Sequence, residues 1–329
     1  MPALAAAFWT YSWEQGVVMK FLVTGGAGFL GSALVNRLLA QGHRVRVLDD
    51  LSSGDRNRLD PRAVFTRGDT RDIPKLWTLL KGVDCVYHLA ARVSVPESVL
   101  YPVEYNEVNV GGTVSLMTAV RDARVKRVVF TSSGAAYGEQ GEQPVPETAR
   151  LRPESPYAVS KMAAEGYVFA LGALWGIETV ILRIFNAYGP GQSIPPTHAP
   201  VIPKFLKQIL GGGSLVMYGR GEQSRDFVYV SDVVDAMVAA AKATSVNRAV
   251  INVGSGREVT INALVDAIER VTGRAAHRLY NETEGSGVSR LWADVSLAHE
   301  KLEFEPKVDL EAGLRRVLAE DEQFGRSNR

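Results

Sequence analysis

Cysteine is almost missing from this chain of 329 residues: Cys85 stands alone, which rules out an intramolecular disulfide and fits a reducing compartment. Charge of one sign is missing too. With 37 Lys and Arg against 36 Asp and Glu the net charge is +1, and no block of like charge interrupts the chain. Electrostatic capture of nucleic acid or of an anionic membrane is therefore not expected, although a few placed arginines suffice for a small anionic ligand. Long apolar runs are also lacking. The longest weakly charged stretch, residues 166–177, falls short of the roughly 18 residues a membrane span needs. The five histidines show no metal-ligand spacing, so no metal is expected. What remains is an ordinary globular composition, 46% hydrophobic and 22% charged, enough for one large domain or two modest ones in the cytoplasm.

The first 18 residues, MPALAAAFWTYSWEQGVV, have neither the basic start nor the cleavage site of a signal peptide. They read as a loosely packed extension ahead of Met19, or as a partner- or membrane-binding segment using Phe8, Trp9, Tyr11 and Trp13.

From residue 20 to about 185 short apolar runs (KFLVTG, HRVRVLD, CVYHLA, RVVFTS, TVILRIF) alternate with segments of helical period. Apolar strands without polar alternation predict a sheet covered on both faces, hence parallel α/β. After Asn186 the texture changes. A Pro- and Gly-rich loop at 189–203 precedes VIPKFLKQIL, SDVVDAMVAAAKA and INALVDAIERVTG, three predicted helices; Ser231 or Asp232 would cap the second, and Gly273 would stop the third. The expected architecture is a Rossmann-type doubly wound parallel sheet at 19–186, rejoined by 226–254. A smaller, partly interleaved C-terminal α/β region at 187–225 and 255–329 would bind substrate.

TGGAGFLGS lies between the first strand and the first helix and spaces Gly25, Gly28 and Gly31 as a dinucleotide fingerprint does. Gly25 permits the tight turn, Gly28 lets the backbone approach a pyrophosphate, and Gly31 lets helix and strand pack closely. Asp49 ends the second strand 24 residues after Gly25. A carboxylate there accepts hydrogen bonds from the adenosine ribose and repels a 2′-phosphate, so NAD is expected rather than NADP. In GDTRD, Asp69 and Thr70 fall near the adenine, although Asp69 also reads as a plain turn residue.

SPYAVSK begins a helix with Ser155 as N-cap and Pro156 in its first turn, and sets Tyr157 and Lys161 four residues apart on one face. A phenol of pKa near ~10 is a poor base at neutral pH. A neighbouring ammonium and a positive nicotinamide favour its phenolate, and a Ser hydroxyl from the upstream TSS would complete a proton path. His88 and Cys85, inside an apolar run, read as core residues.

Together with VLDDLSSG, NVGGT, TSSGAAYG, LRIFNAYGPG, RGEQSRDFVYVSDVV, INVGSG and LWADVSLAHEKLEFEPK, these pieces resemble the extended short-chain dehydrogenase/reductases of the nucleotide-sugar epimerase/dehydratase family over residues 20–318. The resemblance implies a catalytic trio of Ser133, Tyr157 and Lys161. It implies NAD held by Gly25, Gly28, Phe29, Leu30, Gly31, Asp49, Asp69, Thr70, Ala90, Ala91, Asn109, Tyr157, Lys161 and Ile184. A nucleoside-diphosphate sugar, most simply a UDP-sugar, would lie against Ser133, Asn186, Val201, Arg225, Arg290 and Leu291, with Arg225 clamping the diphosphate. For Asn186 a turn-stabilising role competes, and for Arg225 a salt bridge. A homodimer built on helices near 110–123 and 156–175 is also implied.

Relatives that eliminate water carry an Asp-Glu pair where this chain has Gly134 and Ala135, and decarboxylating relatives carry a Glu at Ala135. Neither Gly nor Ala transfers a proton. A 4-epimerase needs no second acid or base, and small residues leave room for a 4-keto sugar to swing. The expected reaction is therefore 4-epimerisation of a UDP-hexose of the UDP-glucose/UDP-galactose type. Alternatives are epimerisation of a UDP-uronic acid or UDP-N-acetylhexosamine, 4-ketoreduction, or a non-catalytic NAD-binding regulator. One departure concerns the nucleotide grip: the family's Arg-x-Gly-Asp ahead of W-A-D is replaced by Glu284 and Gly287, with Arg290 as a substitute from another backbone point. Leu291 falls where relatives set tolerance for the C2 substituent, and is intermediate in size.

Overall fold

The computed structural model describes residues 17–195, 198–281 and 287–325. The tryptophans and aromatics of the N-terminal extension and Glu284 therefore lie outside the described residues, while Val17 and Val18 are exposed. Strands β1 Lys20–Thr24, β2 Arg44–Asp49, β3 Val64–Arg67, β4 Cys85–His88, β5 Arg127–Ser133 and β6 Glu178–Ile184 come first. Four short strands follow, β7 Asn186–Tyr188, β8 Ser214–Tyr218, β9 Ser224–Arg225 and β10 Phe227–Tyr229, and then β11 Ala249–Val253. β12 Val259–Thr260, β13 His277–Asn281 and β14 Arg290–Leu291 lie nearer the C-terminus.

β11, β6, β5, β4, β1, β2 and β3, in that order, form one parallel sheet, the doubly wound arrangement expected from the apolar runs. Successive side chains of a strand point to opposite faces. Phe21 and Val23 accordingly enter one core with Tyr87, Val129 and Leu182, while Leu22 enters the other with Leu48, Val86 and Val128. Helices α1 Phe29–Ala40, α2 Ile73–Leu80, α3 Val95–Leu100, α4 Pro102–Tyr105, α5 Gly112–Ala123, α6 Pro156–Trp175, α7 Val201–Leu210, α8 Val230–Lys242 and α9 Ile261–Thr272 follow in chain order. α1 and α8 cover the first face, and α2, α5 and α6 cover the second. Burial on both faces is what drives this parallel sheet. A third core, including Tyr188, Phe205, Tyr229, Leu264 and Leu314, holds α7, α9 and the short strands together.

Local signals fare unevenly. Ser155 caps α6, its hydroxyl accepting the Ala158 amide at 3.2 Å, and Gly273 ends α9 in the left-handed region at φ +67°. α8 instead starts at Val230 with Tyr229 at its cap. Asp232 is drawn away: its carboxylate is buried and accepts the amides of Lys307 and Val308 at 3.1 and 3.0 Å, a tertiary tie that outweighs a local cap.

Candidate functional site

The C-terminal ends of the main-sheet strands open into a cleft of about 550 Å3. Its floor is the β1–α1 turn. Gly25 has φ +69°, and a Cβ there would lie 2.6 Å from the Ala90 amide nitrogen; a Cβ on Gly31 would lie 2.1 Å from the Gly25 carbonyl oxygen. The turn therefore packs backbone on backbone, and α1 starts at Phe29 with no side chain capping its first amides. Asp49, at the end of β2, accepts the Ala27 and Leu51 amides, both at 2.9 Å. Burial raises its carboxyl pKa, and these backbone bonds oppose the rise. It thus orders the fingerprint turn and still lines the cleft. Asp69 is paired with Arg71 at 2.6 Å, and both line the cleft beside Thr70.

The trio meets at the other end. Ser133 closes β5, and its hydroxyl accepts the Ala135 amide at 3.2 Å and faces the Tyr157 phenol. Tyr157 is buried, which raises its pKa; the Ser133 hydroxyl opposes the shift. Lys161, one turn later, sits over the Phe130 ring at 4.7 Å. Burial brings its ammonium down to about 8, against the attraction of Glu165. Gly134 is buried beneath Phe185, whose ring a Cβ would meet at 3.2 Å. Its smallness thus admits that ring, a packing reason added to the one read from sequence.

Every expected cofactor residue but one lines the cleft. The exception is Asn109, which faces inward: its amide group donates to the Arg92 carbonyl at 3.0 Å and the Ser160 hydroxyl at 2.9 Å, and accepts the Arg92 amide at 2.8 Å. It braces the Arg92 backbone, directly after Ala90 and Ala91, against Ser160 of α6. His88 is a core residue. The Thr113 hydroxyl donates to the Asn109 carbonyl at 2.6 Å, so it accepts from His88 Nε2 at 2.9 Å, and Thr24 donates to Nδ1 at 2.7 Å. Burial holds His88 at about 3, hence neutral. Cys85 is buried, its thiol pushed up to about 12.

The expected substrate residues lie beyond this cleft, apart from Ser133. Asn186 is exposed at the start of β7, and its side chain makes no hydrogen bond to the described residues, so no turn depends on it. Val201 begins α7 and packs on the third core. Arg225 forms no ion pair with the described residues; it donates to the Ser224 carbonyl at 2.7 Å, and burial lowers its pKa. Next to it, buried Asp226 accepts four hydrogen bonds, from the Ser255 amide and hydroxyl and the amides of Gly256 and Ala293. β14 pairs with β9 so that Arg290 opposes Ser224 and Leu291 opposes Arg225. Paired residues share a face. Arg290 therefore leaves from the face opposite Arg225, where it binds Glu258 at 2.7 and 2.8 Å, while Leu291 is buried with Tyr137, Val145 and Phe185.

Sequence reading missed several residues of the cleft. Ser132, whose buried hydroxyl has no partner among the described residues, and Phe185 adjoin motifs already singled out, and Arg92 directly follows Ala91. Arg58 had no local signal; it hydrogen-bonds the Gly191 carbonyl across the chain. The glycine cradle, the acceptor Asp49 and the unpartnered Ser132 hydroxyl together fit a dinucleotide.

Residues 21–254 match the family described as the NAD dependent epimerase/dehydratase family. The chain is 38% identical over 299 residues to a putative UDP-glucose 4-epimerase of Methanocaldococcus jannaschii, covering 90% of this chain and 96% of that one. A UDP-glucose 4-epimerase of Thermotoga maritima, solved with UDP-glucose, superposes with TM-score 0.88 at 36% identity, over 94% of this chain and 99% of that one. A UDP-N-acetylglucosamine 4-epimerase of Methanobrevibacter ruminantium, in complex with UDP-N-acetylmuramic acid, gives TM-score 0.87 at 37% identity, over 92% and 97%.

Proposed function

The chain belongs to the NAD dependent epimerase/dehydratase family and is an epimerase-type enzyme whose cofactor is NAD; from that premise we propose that it inverts C4 of a UDP-hexose of the UDP-glucose/UDP-galactose type. One observation carries this reading: beside the Ser133–Tyr157–Lys161 cluster stand Gly134 and Ala135, and the carboxylates that line the cleft, Asp49, Asp50, Asp69 and Glu104, come from elsewhere, from β2 onward to α4. Elimination and decarboxylation lack a second acid or base there; 4-epimerisation needs none.

NAD, when bound, supplies reversible oxidation at the sugar carbon. The chain's own residues manage the proton. Tyr157 takes it from the 4-OH as C4 becomes a ketone and returns it on reduction. Lys161 holds the phenolate electrostatically, and Ser133 hydrogen-bonds the sugar oxygen. Arg225, which forms no ion pair with the described residues, is the proposed diphosphate clamp, with its neighbour Asp226 anchored to Ser255, Gly256 and Ala293, and the region of α7, α9 and the short strands holds the nucleotide sugar. Arg225→Ala is expected to raise KM for the UDP-sugar by about ten- to a hundredfold with kcat little changed, the scale of a charged hydrogen bond. A wild-type KM in that variant removes Arg225 from the site.

The test of the function is incubation with UDP-, dTDP- and GDP-sugars. Conversion of UDP-galactose to UDP-glucose without net redox is expected; consumption of external NADH with no interconversion overturns the reading. The Methanobrevibacter relative makes UDP-N-acetylhexosamines the second substrate to try, with Leu291 as the residue whose size would govern them. A homodimer is part of the proposal. α5 is itself packed against α2 and α6, while α3, α4 and α6 carry exposed apolar side chains, among them Val99, Leu100, Val103, Val159 and Tyr167.

A further inference from the structure

Behind the proton relay lies a buried charge pair that the proposed chemistry does not use. Glu165 is on α6, one turn beyond Lys161 and two beyond Tyr157, on the same face. Both its oxygens are held by Arg183 of β6, Nε at 3.0 Å and Nη2 at 2.7 Å, and the two side chains are 5% and 6% exposed. The guanidinium reaches further. Its Nη1 donates to the Tyr137 hydroxyl at 3.0 Å and the Glu147 carbonyl at 3.2 Å, and its plane lies over the Tyr137 ring at 4.8 Å. The Tyr137 hydroxyl donates in turn to Asn252 Oδ1 on β11 at 2.7 Å. Tyr137 ends the single turn, Gly134–Tyr137, that begins directly after Ser133. One ion pair thus joins the helix bearing Tyr157 and Lys161 to the loop bearing Ser133.

Burying such a pair is costly and by itself adds little stability. We propose that Glu165 and Arg183 are positioning residues of the proton relay: the pair sets the Ser133 loop against α6 and, by cancelling its own charges there, fixes the potential in which Tyr157 ionises. The assignment rests on Tyr157 as the relay base of the proposed function. The other groups facing Tyr157 and Lys161 are few. His88 from β4 is neutral, the Tyr137 hydroxyl is bound to Arg183, the Glu147 carboxylate accepts the Asn252 amide, Arg92 of the cleft is paired with Glu97 and Glu104, and Phe130 carries no charge.

The test reads the phenol directly. Tyrosinate absorbance is titrated in the NAD-loaded protein, with the Tyr157→Phe protein subtracted, alongside kcat and KM. Read in a Lys161→Met background, so that the attraction of Glu165 for Lys161 does not enter, Glu165→Gln leaves the Arg183 cation, which favours the phenolate, so the Tyr157 titration moves down in pH. Arg183→Gln leaves the Glu165 anion, so it moves up. Two helical turns span about 12 Å, and a unit charge at that distance in an effective dielectric of about 20 gives a shift of roughly one pH unit. A merely structural pair would impair both variants without displacing the titration in opposite directions. Because a lone buried charge can prevent folding, the Glu165→Gln/Arg183→Gln double variant is the second arm. It is expected to retain NAD, to titrate within a few tenths of a unit of wild type, and to lose about tenfold or more in kcat at unchanged KM through the loosened loop. Shifts of one sign in the single variants, or a double variant with wild-type kcat, overturn the proposal. Absence of any UDP-hexose turnover would sink the proposed function and leave the titration to decide this assignment.

Discussion

Tyr157→Phe is expected to lower turnover by about a thousandfold or more while NAD stays bound, the scale of a lost positioned acid/base. The change removes one oxygen and keeps the ring, which is buried at the start of α6, so packing is disturbed little. The lost oxygen is the atom that faces Ser133. Lys161 remains over Phe130, the glycine cradle is untouched, and cofactor content measured after denaturing extraction should match wild type. The two readouts must separate. Turnover of UDP-galactose near the wild-type rate removes Tyr157 from the chemistry, whereas loss of NAD together with activity assigns it to binding alone.

Gly31→Ala is expected to do the reverse and abolish cofactor retention, with activity falling as a result. The added methyl would sit 2.1 Å from the Gly25 carbonyl oxygen and 2.7 Å from Gly26 Cα. Both are backbone atoms, so relief requires moving α1 away from β1, and α1 carries Leu34, Val35 and Leu38 of the first core. Overpacking of this kind costs typically 1–3 kcal/mol, and here it also displaces the amides aimed at a pyrophosphate. Bound NAD after gel filtration and the thermal midpoint are the measurements. A variant that keeps both shows that the turn has slack that its contacts deny.

These two positions were legible in the sequence because their constraints are local. A turn that must be tight, and two side chains one helical turn apart, leave their mark within a few residues. The parallel sheet was legible for a related reason, since burial on both faces removes the polar alternation from the central strands β1, β4, β5 and β6. Constraints set across the fold left no such mark. Asn109 belongs to a widened helical stretch, Asn106–Gly111, and its direction follows from that backbone irregularity and not from its neighbours. Sequence alone makes Arg290 a stand-in for a missing arginine, but register decides its face, and two adjacent strand residues point opposite ways. Asp232 looked like a cap until the amides of Lys307 and Val308 claimed it. Glu165 and Arg183 lie on different elements, and nothing in either segment names the partner.

The place of β11 at the sheet edge, beside β6 and supplied by residues 249–253, has a consequence for synthesis. When residue 186 has left the ribosome, six strands exist, but β6 still offers a bare row of amides and carbonyls, and α1 lacks α8, its partner on that face. The nascent sheet lacks its last strand while α7, β8 to β10 and α8 are made, and β6 is paired only when β11 emerges. A chain stopped between residues 186 and 229 therefore presents an apolar face not yet covered by α8, and should be held by chaperones or aggregate.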